Sequence, residues 1–141
     1  MGVESSCASL IKQIHDELEK QANHAMRPHG LTMAQFGVLL ALNSAEGAQL
    51  ALKELESILH VAQSTAAGIV VRLEQKGMVE GFGDPRDHRI KMVRITPAGA
   101  VCCQEAERNM ALAEAGILSG LTETERSIFK ALLQKVRNSL P

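Results

Sequence analysis

The stretch RLEQKGMVEGFGDPRDHRIKMVRITPAG, residues 72–99, decides the fold of this 141-residue chain. It changes period partway. Through Lys76 it completes a helical pattern in which Ala66, Ile69, Val70 and Leu73 recur at three and four residues, and Gly77 follows as the C′ residue. The runs MVEGF and IKMVRIT then read as two short extended segments, the second setting Ile90, Met92, Val93 and Ile95 among Lys91 and Arg94. A Gly-Asp-Pro turn joins them. The resulting β-hairpin is too small to stand alone and must lean on the helices before it. Thr96-Pro97 next supplies an N-cap and an N1 proline, so a new helix opens there.

Working outward, residues 6–27 place Leu10, Ile11, Ile14, Leu18, Ala22 and Met26 on one helical face, which Arg27-Pro28-His29-Gly30 ends. Thr32 with Gln35 forms a capping box for a second helix that carries Met33, Phe36, Leu39 and Leu40 on one side and stops near Gly47. LKELESILH is a short third helix with Leu52, Leu55, Ile58 and Leu59 inward, and the fourth covers about 63–76. Beyond Pro97, Val101, Cys102, Ala106, Met110, Ala113 and Ile117 form one stripe. Thr122 with Glu125 then caps a last helix whose apolar face is Ile128, Phe129, Leu132, Leu133, Val136 and Leu140.

This order predicts a mainly α single domain with a small β wing: a winged helix-turn-helix lobe over 32–96, flanked by long helices over 6–30 and 97–141. The flanking stripes exceed what a core of this size can cover, so their expected partner is a second copy in a two-fold homodimer. Fifteen basic against sixteen acidic residues give a net charge of −1, and any affinity for nucleic acid must therefore come from a local patch. Residues 62–96 carry +2 and the remainder −3. The excess sits at the hairpin, where Arg86, Arg89, Lys91 and Arg94 gather. An arginine on a projecting turn can enter the electronegative minor groove or grip phosphate; solvated surface charge is the alternative.

In this order and spacing, Arg-Leu-Glu-x-Lys-Gly, then Asp-x-Arg-Asp-x-Arg, then a strand ending in Ile-Thr-x-x-Gly, the chain resembles the multiple-antibiotic-resistance regulator (MarR) family of winged helix-turn-helix transcription factors over nearly its whole length. The resemblance implies a dimer that binds a pseudo-palindromic operator in double-stranded DNA, usually represses, and is often released by a small molecule or oxidant. It makes Arg86 the wing-tip minor-groove residue and Asp84 the carboxylate that orients it. Arg89 either braces the hairpin by pairing with Asp87 or Glu80 or contacts phosphate. Lys91 and Arg94 are expected on the solvent side of their strand, within reach of backbone phosphates, and Arg72 contacts phosphate or only caps the wing.

The fourth helix departs from the family. Its outward face offers Ser64, Ala67, Gly68 and Val71, with Gln63 and Thr65 at the start, where relatives often have polar or basic residues at the Gly68 and Val71 positions. Ala62 replaces the usual Ser or Thr cap. Base reading therefore falls to Gln63, Ser64 and Thr65, with Val71 against a thymine methyl and Gly68 permitting close backbone approach. A large share of specificity is expected from the wing and DNA shape.

By the same resemblance a sensor cavity lies between the first, second and fifth helices. His15, Phe36, Leu40 and Met110 are the candidate lining residues, although each is also ordinary core or helix-face material. Some oxidant-sensing relatives carry a reactive thiol near the start of the first helix, which makes Cys7 the redox candidate beside the reading of an ordinary terminal cysteine. Cys102 and Cys103 read as packing residues. The five histidines lack metal-site spacing and read mostly as solvated, and no cofactor is expected. No nucleophile constellation, phosphate loop or paired carboxylates point to an enzyme. The alternatives to a DNA-binding regulator are a winged-helix module that binds protein and a thiol-based redox regulator. No run approaches a membrane span and the start lacks a secretory layout, so a cytoplasmic protein without a membrane partner is expected. Gly2 with Ser5 and Ser6 matches a myristoylation start only faintly.

Overall fold

The computed structural model describes residues 5–141; Gly2 lies outside them. The chain runs α1 (Cys7–Met26), α2 (Met33–Ser44), β1 (Gln49–Ala51), α3 (Leu52–Leu59), α4 (Gln63–Gln75), β2 (Val79–Gly83), β3 (Lys91–Ile95), α5 (Pro97–Ile117) and α6 (Glu123–Asn138). Local chemistry sets most of these boundaries. Thr32 accepts the Gln35 N–H at 3.1 Å while Gln35 reaches back to the Thr32 N–H at 3.2 Å, and Thr122 and Glu125 make the same reciprocal pair before α6. Each such cap contributes about 1 kcal/mol by satisfying otherwise orphaned helix donors. At the end of α4, Gly77 takes φ +73° and its N–H bonds the Glu74 carbonyl, while the Met78 N–H bonds that of Leu73. This two-bond motif stops the helix and needs a residue that tolerates a left-handed backbone.

Thr96 does two jobs at the next junction. Its hydroxyl accepts the Gly99 N–H at 3.0 Å, capping α5, and donates to the Gly77 carbonyl at 2.7 Å, tying the exit of α4 to the start of α5. Close packing there leaves no room for a side chain on Gly99, because a Cβ would collide with the Met78 carbonyl oxygen.

The sheet is antiparallel in the order β1-β3-β2. Its first strand was not expected from the sequence: Gln49–Ala51 is three residues long and pairs Leu50 with Val93, more than forty residues away. α2 runs through the centre with Phe36, Val38, Leu39 and Leu42 all buried, packed on α3, α4, α5 and β3. Met26, Leu55, Val70, Leu73, Val79, Val93, Cys103 and Ala106 complete the core.

Some faces differ from the expected stripes. Met33, Ile58 and Val101 are exposed, since they lie at the edges of apolar arcs wider than the neighbours that cover them. Cys103, not Val101, is the buried residue of that turn of α5. In α6 no residue is buried, and Ile128, Leu132, Leu133, Val136 and Leu140 face outward together with Leu10, Ile11, Ile14 and Leu18 of α1. No helix among the described residues is long and apolar enough to cross a membrane.

Candidate nucleic-acid interface

α3 and α4 form a helix-turn-helix pair joined at His60, which takes φ +56°, and the β2–β3 hairpin projects beside α4 as a wing. α4 is held from behind by Ala66, Val70 and Leu73, so its other face is free. Gln63, Ser64, Thr65, Gly68, Val71 and Arg72 are all exposed on it, Val71 at 48%. Ala62 gives α4 no side-chain cap. The first-turn amides, at the positive end of the helix dipole, are thus left to an outside acceptor such as a phosphate oxygen.

The wing tip explains why Asp-x-Arg occurs twice in DPRDHR. Asp84 accepts the Arg86 main-chain N–H at 2.8 Å, and Asp87 accepts that of Arg89 at 3.1 Å. Two aspartates three residues apart thereby fix the turn by the same local bond, reinforced by main-chain bonds from Asp87 to Asp84 and from Ile90 to Asp87. The two arginines then diverge. Arg89 folds back on Asp87 through two side-chain hydrogen bonds of 3.0 Å and braces the hairpin, with its side chain still 91% exposed. That pairing holds the Asp87 carboxyl below its ordinary range. The Arg86 guanidinium has no hydrogen-bond or ion-pair partner among the described residues. Asp84 therefore positions the backbone that carries Arg86, where the resemblance implied direct orientation of the guanidinium.

The strand residues need a correction. Lys91 and Arg94 are three apart and so lie on opposite faces of β3, not together on a solvent side. Lys91 shares a face with Val93 and Ile95; its stem crosses Gly81, where a Cβ would meet Lys91 Cε at 2.9 Å, and its ammonium sits 3.7 Å from Glu74 of α4. On the outer face, Arg94 bonds Glu80 at 2.7 and 2.9 Å and lies 4.7 Å over the Phe82 ring. These pairs tie the wing to α4 and to itself.

Lys76 was given no role by the sequence pattern. Its ammonium donates to the buried Gln35 side chain at 3.0 Å and to the Gly30 carbonyl, linking the end of α4 to the turn between α1 and α2. His29 in that turn bonds Asn109 of α5 at 3.0 Å and stands 3.8 Å from Glu105. With its side chain only 13% exposed, His29 is not the solvated histidine expected. Both links span more than forty residues, and no local signal marks them.

A cleft of about 370 Å³ lies between α1, α2 and α5, lined by Leu18, Gln21, Ala22, Phe36, Leu40, Glu107, Met110, Ala111, Ala113 and Glu114. Of the expected lining residues Phe36, Leu40 and Met110 are present. His15 is not: it points to solvent on α1 beside Asp16 and Glu19, and these three form the one group of potential metal ligands among the described residues. Asp16 is already paired with Lys12. A second cleft of about 370 Å³ separates α1 from the α5–α6 junction and α6, lined by Ile14, Ile117, Leu118, Leu121, Glu125, Ile128, Phe129 and Leu132. Cys7 is exposed at the first position of α1. Burial pushes the Cys102 thiol up, and burial with the neighbouring Glu107 pushes that of Cys103 up to about 12, which suits packing residues.

The mainly α fold with its small three-stranded sheet matches that of known proteins. The MarR family model matches residues 29–90. The multiple antibiotic resistance protein MarR of Escherichia coli K12 is 29% identical over 128 residues, covering 90% of this chain and 88% of that one. In sequence and in fold the chain is similar to MarR-family proteins over nearly its whole length. The crystal structure of wild-type E. coli MarR in its apo form superposes with a TM-score of 0.80 at 28% identity, covering 96% of this chain and 97% of that one. A cysteine-to-serine variant of the same protein complexed with operator DNA gives 0.76 at 28% identity, covering 95% and 93%. MarR-family proteins are DNA-binding transcriptional regulators, not enzymes. This chain is such a regulator.

Proposed function

We propose that this MarR-family regulator works as a two-fold homodimer that binds a pseudo-palindromic operator, represses from it in the cytoplasm, and releases it when a small molecule enters the cleft between α1, α2 and α5. The observation that carries the reading is the Arg86 guanidinium, left without a partner among the described residues at the tip of a doubly braced hairpin beside the open face of α4. Residues 32–96 bind DNA in this scheme. Arg86 enters the minor groove, Arg72 and the uncapped first turn of α4 take phosphates, and Gln63, Ser64 and Thr65 meet base edges in the major groove, with Gly68 and Val71 against the groove floor.

Residues 6–30 and 97–141 form the dimer. The outward apolar residues of α1 and α6 support it: a water-exposed row of isoleucines and leucines on two helices at opposite ends of the chain is stabilised when a second copy covers it. Cys7 is the remaining candidate for oxidant sensing.

Selection of random duplexes on the purified protein tests this directly. Two inverted half-sites with centres about 10 bp apart are expected. Repeating the binding with candidate small molecules and with peroxide separates ligand release from thiol chemistry. Enrichment of no duplex at low salt would overturn the proposal.

A further inference from the structure

We infer that the effector of this regulator is a hydrophobic cation. The inference rests on the proposal that the cleft between α1, α2 and α5 is the effector site, and it adds the ligand's charge. Seven of the ten lining residues are apolar, among them Leu18, Phe36, Leu40 and Met110, so the occupant is held largely by burial of its own apolar surface. The three polar ones are Gln21, Glu107 and Glu114, and no lysine, arginine or histidine lines the cleft.

Glu107 and Glu114 are seven residues apart on α5, two turns along one face, so they stand about 10 Å from each other along the helix. Neither has a basic partner among the described residues. Among the described residues the one hydrogen bond to either carboxylate comes from the Cys103 thiol, 3.5 Å from Glu107. Four acidic groups elsewhere are each matched by a cation, Asp16 with Lys12, Glu74 with Lys91, Glu80 with Arg94, and Asp87 with Arg89, whereas the two at the cleft are not.

Two uncompensated carboxylates at an apolar cleft create a negative potential that low-dielectric walls focus inward. An apolar anion entering there meets repulsion with no cation to offset it. An apolar monocation gains attraction while its hydrocarbon fills the cleft, and its diffuse charge makes desolvation cheap compared with that of a primary ammonium.

Tetraphenylphosphonium and tetraphenylborate provide the test, being nearly identical in shape and opposite in charge. Equilibrium dialysis of each against the full-length protein should show the phosphonium binding about tenfold or more tighter than the borate, the scale expected for two partly screened charges. In the Glu107→Gln, Glu114→Gln double variant the preference should shrink to about threefold or less, and Glu114→Gln alone should remove part of it. Ala111→Lys, which puts a cation on an exposed lining position, should reverse the preference. If the borate binds wild-type protein as tightly as the phosphonium, or the double variant keeps the full preference, the cationic assignment is wrong while the effector cleft stands. If neither ion binds, the cleft reading itself fails with it.

Discussion

The carboxylate of Asp84 holds the main-chain N–H of Arg86 at 2.8 Å, so the backbone of the wing tip is fixed while the guanidinium is left to a partner outside the chain. Ordering entropy is thereby spent in folding and not in binding. Arg86→Ala should weaken operator binding by about ten- to hundredfold, as for an arginine contact worth 1–3 kcal/mol. Asp84→Asn should bind nearly as well as wild type, because the amide oxygen accepts the same main-chain bond, whereas Asp84→Ala should lose several-fold. Fluorescence anisotropy with a labelled operator reads all three.

Arg72 in the last turn of α4 and Lys76 just past its end are four residues apart but are expected to fail differently. Lys76 is engaged with Gln35 and Gly30, while Arg72 is exposed and has no partner among the described residues. Arg72→Ala should lower the slope of log affinity against log salt by about one, the signature of one lost phosphate contact. Lys76→Met should reduce affinity through a displaced α4 with the slope unchanged. A slope change for Lys76→Met would make it a phosphate contact.

Gly68 sits inside α4 with nothing within 4 Å of where a Cβ would be. Gly68→Ala should therefore stabilise the protein by about 0.5–1 kcal/mol, since alanine loses less backbone entropy in a helix. If this face approaches DNA closely, the same change lowers operator affinity. Gly99→Ala should do the opposite in folding: the collision with Met78 predicts destabilisation of about 2 kcal/mol or more and a lower Tm by calorimetry.

The thiols should separate by reagent and by pH. At neutral pH a disulfide reagent should modify exposed Cys7 in the native protein and Cys103 only after unfolding. Cys103 has a folded pKa of about 12, above its ordinary value near 9. The unfolded chain thus releases this proton first, and denaturant titrations should show stability present below pH 9 and falling as pH rises from about 9 toward 12. Cys103→Ala should flatten that decline.

Much of this molecule is legible in its sequence because its helix boundaries are set locally. Thr32 with Gln35, Thr96 with Pro97, and Thr122 with Glu125 each settle an end within four residues, and the Asp-x-Arg repeat writes the wing tip in the same way. β1 was not legible, for three residues carry no period and Leu50 finds Val93 only in the folded chain. Lys91 was misplaced because mixed apolar and basic letters on a five-residue strand admit two phases; its reach to Glu74 depends on Gly81 having no side chain. His15 shares a helix with the cleft-lining Leu18 and Gln21, yet it lies nearly a turn beyond Leu18 toward the helix N-terminus, past the end of the cleft, where it faces solvent. The roles of Lys76 and His29 depend on partners that only tertiary structure brings near.

Sedimentation velocity of the protein with a fluorescent duplex carrying its selected operator tests the central claim most directly. Two chains per duplex are expected, from a species that is already dimeric without DNA, with Arg86→Ala leaving the dimer intact and its hold on the duplex weakened by about ten- to hundredfold. Monomers that leave the duplex unshifted at low salt, or an Arg86→Ala dimer that binds it as wild type does, would contradict the account.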